Sequence, residues 1–152
     1  MKVHLNLRNE SGWKGVGLFR RDALASLAQR VCQGENLSGE AELSLLFCKD
    51  AFIQELNRNY RHKNAPTDVL SFSQSKEQFH GIPVLGDIVI SLETVARYCE
   101  DDRHAMRDEI RLLFCHGLLH LLGLEHQTKA DQLIMHQKQA LYLYRDLAST
   151  WH

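Results

Sequence analysis

Proline is scarce in this chain, with 2 residues in 152, and no apolar stretch approaches the ~20 residues needed to cross a bilayer. The opening MKVHLNLRNE alternates apolar and polar side chains and so lacks the continuous apolar segment of a secretory signal. The expectation is a cytoplasmic protein without a membrane-spanning segment. An excess of one charge is also missing, since 18 basic and 19 acidic residues leave a formal charge of −1. That balance excludes the overall basic excess by which many proteins hold nucleic acid, so any such contact must be local. The four cysteines, Cys32, Cys48, Cys99 and Cys115, contain no CxxC pair. Neither a thiolate zinc knuckle nor a redox dithiol is indicated, and each is read as a small buried apolar residue in a reducing compartment.

What is present suits one soluble globular domain spanning 1–152, with 44% hydrophobic and 24% charged residues. Val3, Leu5 and Leu7 alternate with polar neighbours at the period of a half-buried strand, and Ala41, Leu43, Leu45 and Phe47 repeat the pattern. Between them Leu24, Leu27, Ala28 and Val31 recur at helical spacing, which predicts a helix from about Leu18 to Gln33 with Gly34 as its stop. Asp50 is placed to cap a helix carrying Phe52, Ile53, Leu56 and Tyr60, whose exit loop holds Pro66. Two strand-like runs follow, Asp68 to Ser73 and Val84 to Ser91, expected to pair in one sheet. From Leu92 onward the pattern is helical, with breaks near Glu100 to Asp102 and at Gly123, and Thr128 with Asp131 opens a last helix as a capping box. Strands early and helices late predict an α+β fold: one small mixed sheet of about four strands, packed with about five helices.

One segment needs a chemical explanation. From Leu112 to Leu122 the chain is almost continuously apolar, so a helix there is a buried one, yet His116 and His120 stand inside it at i and i+4. That spacing puts both imidazoles on one face, a turn apart, within reach of a single ion. Gly123 then offers the left-handed turn that brings His126 back as a third ligand. Three imidazoles leave one tetrahedral position of a zinc ion open, whereas structural sites are closed by four protein ligands, so the pattern points to a catalytic Zn2+, one per chain. Nickel or copper would accept the same ligands. The other histidines, His4, His62, His80, His104, His136 and His152, share no such spacing and read as surface residues, with His62 the one exception to be considered.

The spacing H-x3-H-x2-G-x2-H is that of the metzincin proteases, in which a glutamate after the first histidine is the general base. Here that position is Gly117, which cannot accept a proton. A peptidase is therefore the weaker alternative, and a non-catalytic zinc-binding module associated with ribosomes is another. The run His116-Gly117-Leu118-Leu119-His120-Leu121-Leu122-Gly123-Leu124-Glu125-His126 resembles the HGxLHLxGxDH signature of the YbeY family. Asn59-Tyr60-Arg61 with Pro66-Thr67-Asp68-Val69-Leu70-Ser71-Phe72 resembles that family's second motif, and Leu85-Gly86-Asp87-Ile88-Val89-Ile90 its third. Glu125 stands where the family usually has Asp, and Ser73 where Pro commonly follows Ser-Phe.

The resemblance implies a zinc-dependent endoribonuclease that cuts single-stranded RNA, matures ribosomal RNA, chiefly the 3′ end of the 16S molecule, and serves ribosome quality control. Ribosomal small-subunit proteins or a ribosome-associated GTPase are the partners it suggests. Zinc chemistry agrees, because the ion polarises phosphoryl oxygens without help from a protein carboxylate. Developing phosphate charge also needs cations. Arg58, Arg61 and Lys63 form a local basic cluster. On charge alone that cluster reads as a solvated helix end; the family motif singles out Arg61 as the phosphate-contacting, transition-state-stabilising residue and leaves Arg58 and Lys63 as optional RNA contacts. Asp68 and Asp87 are read as structural, and Tyr60 and Phe72 as core aromatics more readily than as base-stacking ones.

Overall fold

The computed structural model describes residues 1–74 and 81–145, so His80, His152 and the end of the last expected helical stretch lie outside the described residues. Its elements are β1 (Lys2–Asn9), α1 (Arg21–Gly34), β2 (Glu40–Cys48), α2 (Asp50–Arg61), β3 (Val69–Ser73), β4 (Val84–Ser91), α3 (Leu92–Tyr98), α4 (Arg103–Leu121) and α5 (Lys129–Leu143). The four strands form one mixed sheet in the order β1-β2-β4-β3, parallel except for the antiparallel edge pair of β3 with β4. This is the expected α+β architecture.

Alternation along the strands decides which side chains meet which layer. Val3 and Leu5 of β1, Leu43, Leu45 and Phe47 of β2, and Ile88 and Ile90 of β4 are buried in the main core with α1, α4 and α5. The opposite face carries a smaller core, in which Ile53 of α2 covers Cys48, Leu70 and Val89. Helix α4 is buried along most of its length, as its apolar run predicts. Cys32, Cys48 and Cys115 are buried as expected, while Cys99 is only half-buried; all four are free thiols. Burial pushes the thiol of Cys115 up to about 12 and that of Cys32 to about 11, so neither is a thiolate at neutral pH.

Two helix starts, and the reason for one glycine, differ from the sequence expectation. Helix α1 begins at Arg21 and not Leu18, because Gly17 at φ +81° belongs to a tight turn in which the amides of Leu18 and Phe19 donate to the Gly15 carbonyl. Gly34 does end α1, but the left-handed residue is Asn36; Gly34 is instead sterically required, since a Cβ there would lie 2.3 Å from the Tyr142 hydroxyl. Asp50 does not cap α2. It is the first helical residue, and its carboxylate accepts from Ser91 Oγ at 2.7 Å, Thr94 Oγ1 at 2.6 Å and Arg97 Nη1 at 2.6 Å, while its own amide donates to Glu93 Oε1 at 2.8 Å. The N-terminus of α2 is thus satisfied by the start of α3, through Glu93, a partner 43 residues away that local pattern cannot reveal.

Burial pushes the Asp50 carboxyl up, but the hydrogen bonds from Arg97, Thr94 and Ser91 outweigh it and hold the pKa below the ordinary value. A lowered folded-state pKa gives stability that is complete above the unfolded-state pKa near 3.9 and is lost as pH falls through the folded one. Asp50→Ala is expected to lose about 1–3 kcal/mol at pH 7. Urea unfolding of both proteins should show that gap narrowing below about pH 4.

Candidate metal centre

The site is built at the C-terminal end of α4, where the helix must stop and the chain must double back. Gly123 adopts φ +100°, its amide donates to the His120 carbonyl and that of Leu124 to the Leu119 carbonyl, so the last orphan carbonyls of α4 are satisfied by the turn itself. Thr128 Oγ1 then accepts from the Asp131 amide at 3.0 Å and starts α5. His126 lies in the short stretch between these two signals, with its carbonyl held by Gln132 Nε2 at 3.2 Å.

This turn brings the three histidines together. The Nε2 atoms of His116 and His120 are 3.0 Å apart, and one ring nitrogen from each of the three lies within 4.8 Å of the others. A tetrahedral zinc ion with Zn–N bonds of about 2.0–2.1 Å places its nitrogens about 3.4 Å apart, so the donor set fits one ion with small side-chain adjustments. Among the described residues this cluster has three members, leaving a further coordination position for a non-protein ligand. Burial holds the His120 pKa below its ordinary value, aided by the neighbouring His126, which favours the neutral imidazole a metal requires.

The histidines line a cleft of about 530 Å³ together with Arg61, Lys63, Asn57, Ser71 and Ser73. Arg61 is exposed and its Nη2 donates to the Ser71 carbonyl at 2.9 Å, on the outer edge of β3. Arg58 is exposed elsewhere on α2 and does not line this cleft; neither does His62, which takes a left-handed conformation as the C-cap of α2. A second hollow on the other side of the histidines is lined by Asp68, His136 and Gln139, so His136, read from sequence as a surface residue, sits half-buried beside the site.

The family model described as Endoribonuclease YbeY matches residues 14–145. The chain belongs to this family. Curated relatives agree: Endoribonuclease YbeY of Pelotomaculum thermopropionicum is 44% identical over 126 residues, covering 80% of this chain and 83% of that protein. The Moorella thermoacetica protein of the same name is 38% identical over 149 residues, 93% of this chain and 96% of its own length. A solution structure of TM1509 from Thermotoga maritima shares the fold, with a TM-score of 0.56 at 23% identity over 97% of this chain and 89% of that one. Membership places the protein among enzymes of the endoribonuclease class.

Within the YbeY frame the absent metzincin glutamate has a steric basis. Gly117 is buried against the sheet, where a Cβ would lie 3.1 Å from Ile88 Cγ2, and it also lines the cleft shared by the histidines, so a larger residue there would press on Ile88 and intrude on the cleft. Asp68 behaves as the strand-start residue expected, accepting from the Val69 amide at 2.8 Å. Asp87 accepts from Gln74 Nε2 at 2.6 Å and pairs with Phe72 and Ser44 on the sheet face away from the histidines, so it orients no ligand imidazole. Glu125 is exposed in the turn.

Two site residues escaped the sequence reading. Gln139, 1% exposed, places Oε1 2.8 Å from His116 Nδ1, where the ring N–H donates; this sets the tautomer that turns Nε2 toward the other histidines. Asn57, 5% exposed, donates Nδ2 to the Ala65 carbonyl at 2.9 Å and shapes the loop carrying Lys63. The legible signal in both cases was a polar residue on the apolar stripe of an amphipathic helix: Asn57 falls four after Ile53, and Gln139 four after Met135.

If the three histidines hold an ion, Gln139→Leu is expected to weaken metal affinity about 10–100-fold in a competition titration against a chelator, with Gln139→Glu retaining most of it. Gly117→Glu is expected to lower stability by about 1–3 kcal/mol in urea unfolding, through crowding of Ile88, and to produce no peptidase activity on unfolded protein.

Proposed function

We propose that this protein is a zinc-dependent endoribonuclease specific for single-stranded RNA, acting in ribosomal RNA maturation at the 3′ end of the small-subunit RNA. The observation that carries the reading is the convergence, in one cleft, of three imidazole donors with the guanidinium of Arg61. His116, His120 and His126 are the residues that would hold the ion. Zinc bound there supplies Lewis-acid activation of a phosphoryl oxygen and of the attacking group.

The chain's own groups do the rest. Arg61 presents a fixed positive charge and a planar set of donors, already oriented by its bond to the Ser71 carbonyl, toward charge developing on the phosphate. Lys63 adds a second cation in the same cleft and holds the strand by simple attraction. With Gly117 in the place of a carboxylate, the residue that follows His116 supplies no general base, which suits a phosphodiester more than a peptide bond. The modest net charge of −1 fits an enzyme that engages one local stretch of RNA and relies on ribosomal small-subunit proteins or a ribosome-associated GTPase for delivery.

His116→Ala is expected to abolish both zinc binding by elemental analysis and cleavage of a single-stranded RNA; full cleavage by that metal-free variant would overturn the reading. Arg61→Ala should retain zinc and lose about 10²–10³ in kcat, as removal of one oxyanion donor does. Product termini assign the nucleophile, because a 2′,3′-cyclic phosphate identifies the RNA 2′-hydroxyl.

A further inference from the structure

The sheet face opposite the histidines is only half covered. Helix α2 lies over the β3–β4 side through Ile53 and leaves His4, Asn6 and Arg8 of β1 and Glu42 and Ser44 of β2 without a covering layer. Between α2 and this open half runs a groove of about 380 Å³. One bank is the stripe Phe52, Leu56, Tyr60, spaced by four on α2, and the far end is closed by Phe72 of β3. Tyr60 was read from sequence as core, yet it is 62% exposed, and Phe52 is 43% exposed. Together with Leu56 these rings form one contiguous apolar strip rimmed by polar groups, the kind of surface that marks a binding site.

The groove is continuous with the metal cleft through Arg61. Tyr60 meets the Phe72 ring edge-on with centroids 5.4 Å apart, and the Arg61 guanidinium lies 5.2 Å from the centroid of the same ring. Arg61 also lines the cleft that holds the histidines. The series Phe52, Tyr60, Phe72, Arg61 therefore wraps the edge strand β3 from one face of the sheet to the other. Polar groups on the groove floor supply both donors and acceptors: Asn6, Ser44 and Arg8 on one side, and the Asp87 carboxylate on the other. Glu42 on the same sheet face keeps the floor from being strongly basic, which fits contact with base edges better than with phosphates.

We propose that this groove is a nucleobase-binding subsite, in which unstacked bases flanking the scissile phosphate stack on Tyr60 and Phe52 while the strand passes over β3 at Arg61. The proposal rests on the endoribonuclease reading for the location of the scissile phosphate, and on the groove itself for the rest. Stacking on aromatic faces tolerates any base, whereas the Asp87 carboxylate adds a preference for bases presenting amino donors. A duplex, whose bases are already stacked on each other, cannot use the subsite, so the groove itself selects single strands.

The test uses the full chain and a single-stranded RNA oligonucleotide carrying 2-aminopurine, with zinc chelated for the binding titration and present for kinetics. Fluorescence quenching on binding is expected, with affinity lowered about 5–100-fold in Tyr60→Ala and in Phe52→Ala and largely restored in Tyr60→Phe. KM for cleavage should rise in parallel in the alanine variants while zinc content is unchanged. Alanine variants that bind and cut with affinities within about two-fold of wild type would overturn the subsite and leave the nuclease reading intact. Quenched, Tyr60-dependent binding without cleavage would uphold the subsite and overturn the nuclease reading.

Discussion

Two imidazoles on a helix buried in hydrocarbon need polar partners, and the way this fold satisfies His116 and His120 organises the rest of the site. The histidines face each other and His126, and α5 folds back across α4 to set Gln139 against His116. A helix that continued past Leu121 would leave His126 out of reach. The stop at Gly123, the turn, and the restart at Thr128 are therefore part of the ligand set as much as the histidines are. Because Gln139 and Tyr142 lie one turn apart on α5, the residue that orients His116 rides on the same helix that packs against Gly34 of α1.

The sheet contributes a second constraint. An antiparallel edge strand, β3, separates the metal cleft from the aromatic groove, and its outer carbonyl at Ser71 is covered by Arg61. Exposed edge groups invite pairing with another chain, so covering that carbonyl with a cation both blunts the edge and aims the guanidinium. Gly117 plays the complementary part on the inner side, letting α4 approach Ile88 closely enough that the histidines overhang β3. Where a zinc peptidase has a carboxylate, this fold has a helix-to-sheet contact.

Much of the fold was legible because its signals are local. Period-two alternation marked β1 and β2, the apolar run marked α4 as buried, and Thr128 with Asp131 marked the start of α5. What failed were assignments that depend on a distant partner. Asp50 has the composition of a cap, but α3 is close enough to draw its carboxylate away. Tyr60 sits at core-like spacing, but the sheet beneath it is not covered as far as β1, so the ring stays in water. Gln139 and Asn57 look like surface amides until the packing of α5 and the exit loop of α2 puts them inside.

The sequence by itself determined the candidate ligand set. The i, i+4 spacing, the glycine and the third histidine lie within eleven residues, and helical geometry with one left-handed turn is enough to converge them. Arg61 was marked by its motif, but only the tertiary structure decided that it shares a cleft with the histidines and that Gln139 orients His116, because α2 lies far from the histidine turn of α4 in the chain and α5 meets it only through packing. Their positions depend on sheet order and helix packing, which are cooperative properties of the whole core and leave no trace in any short window of residues.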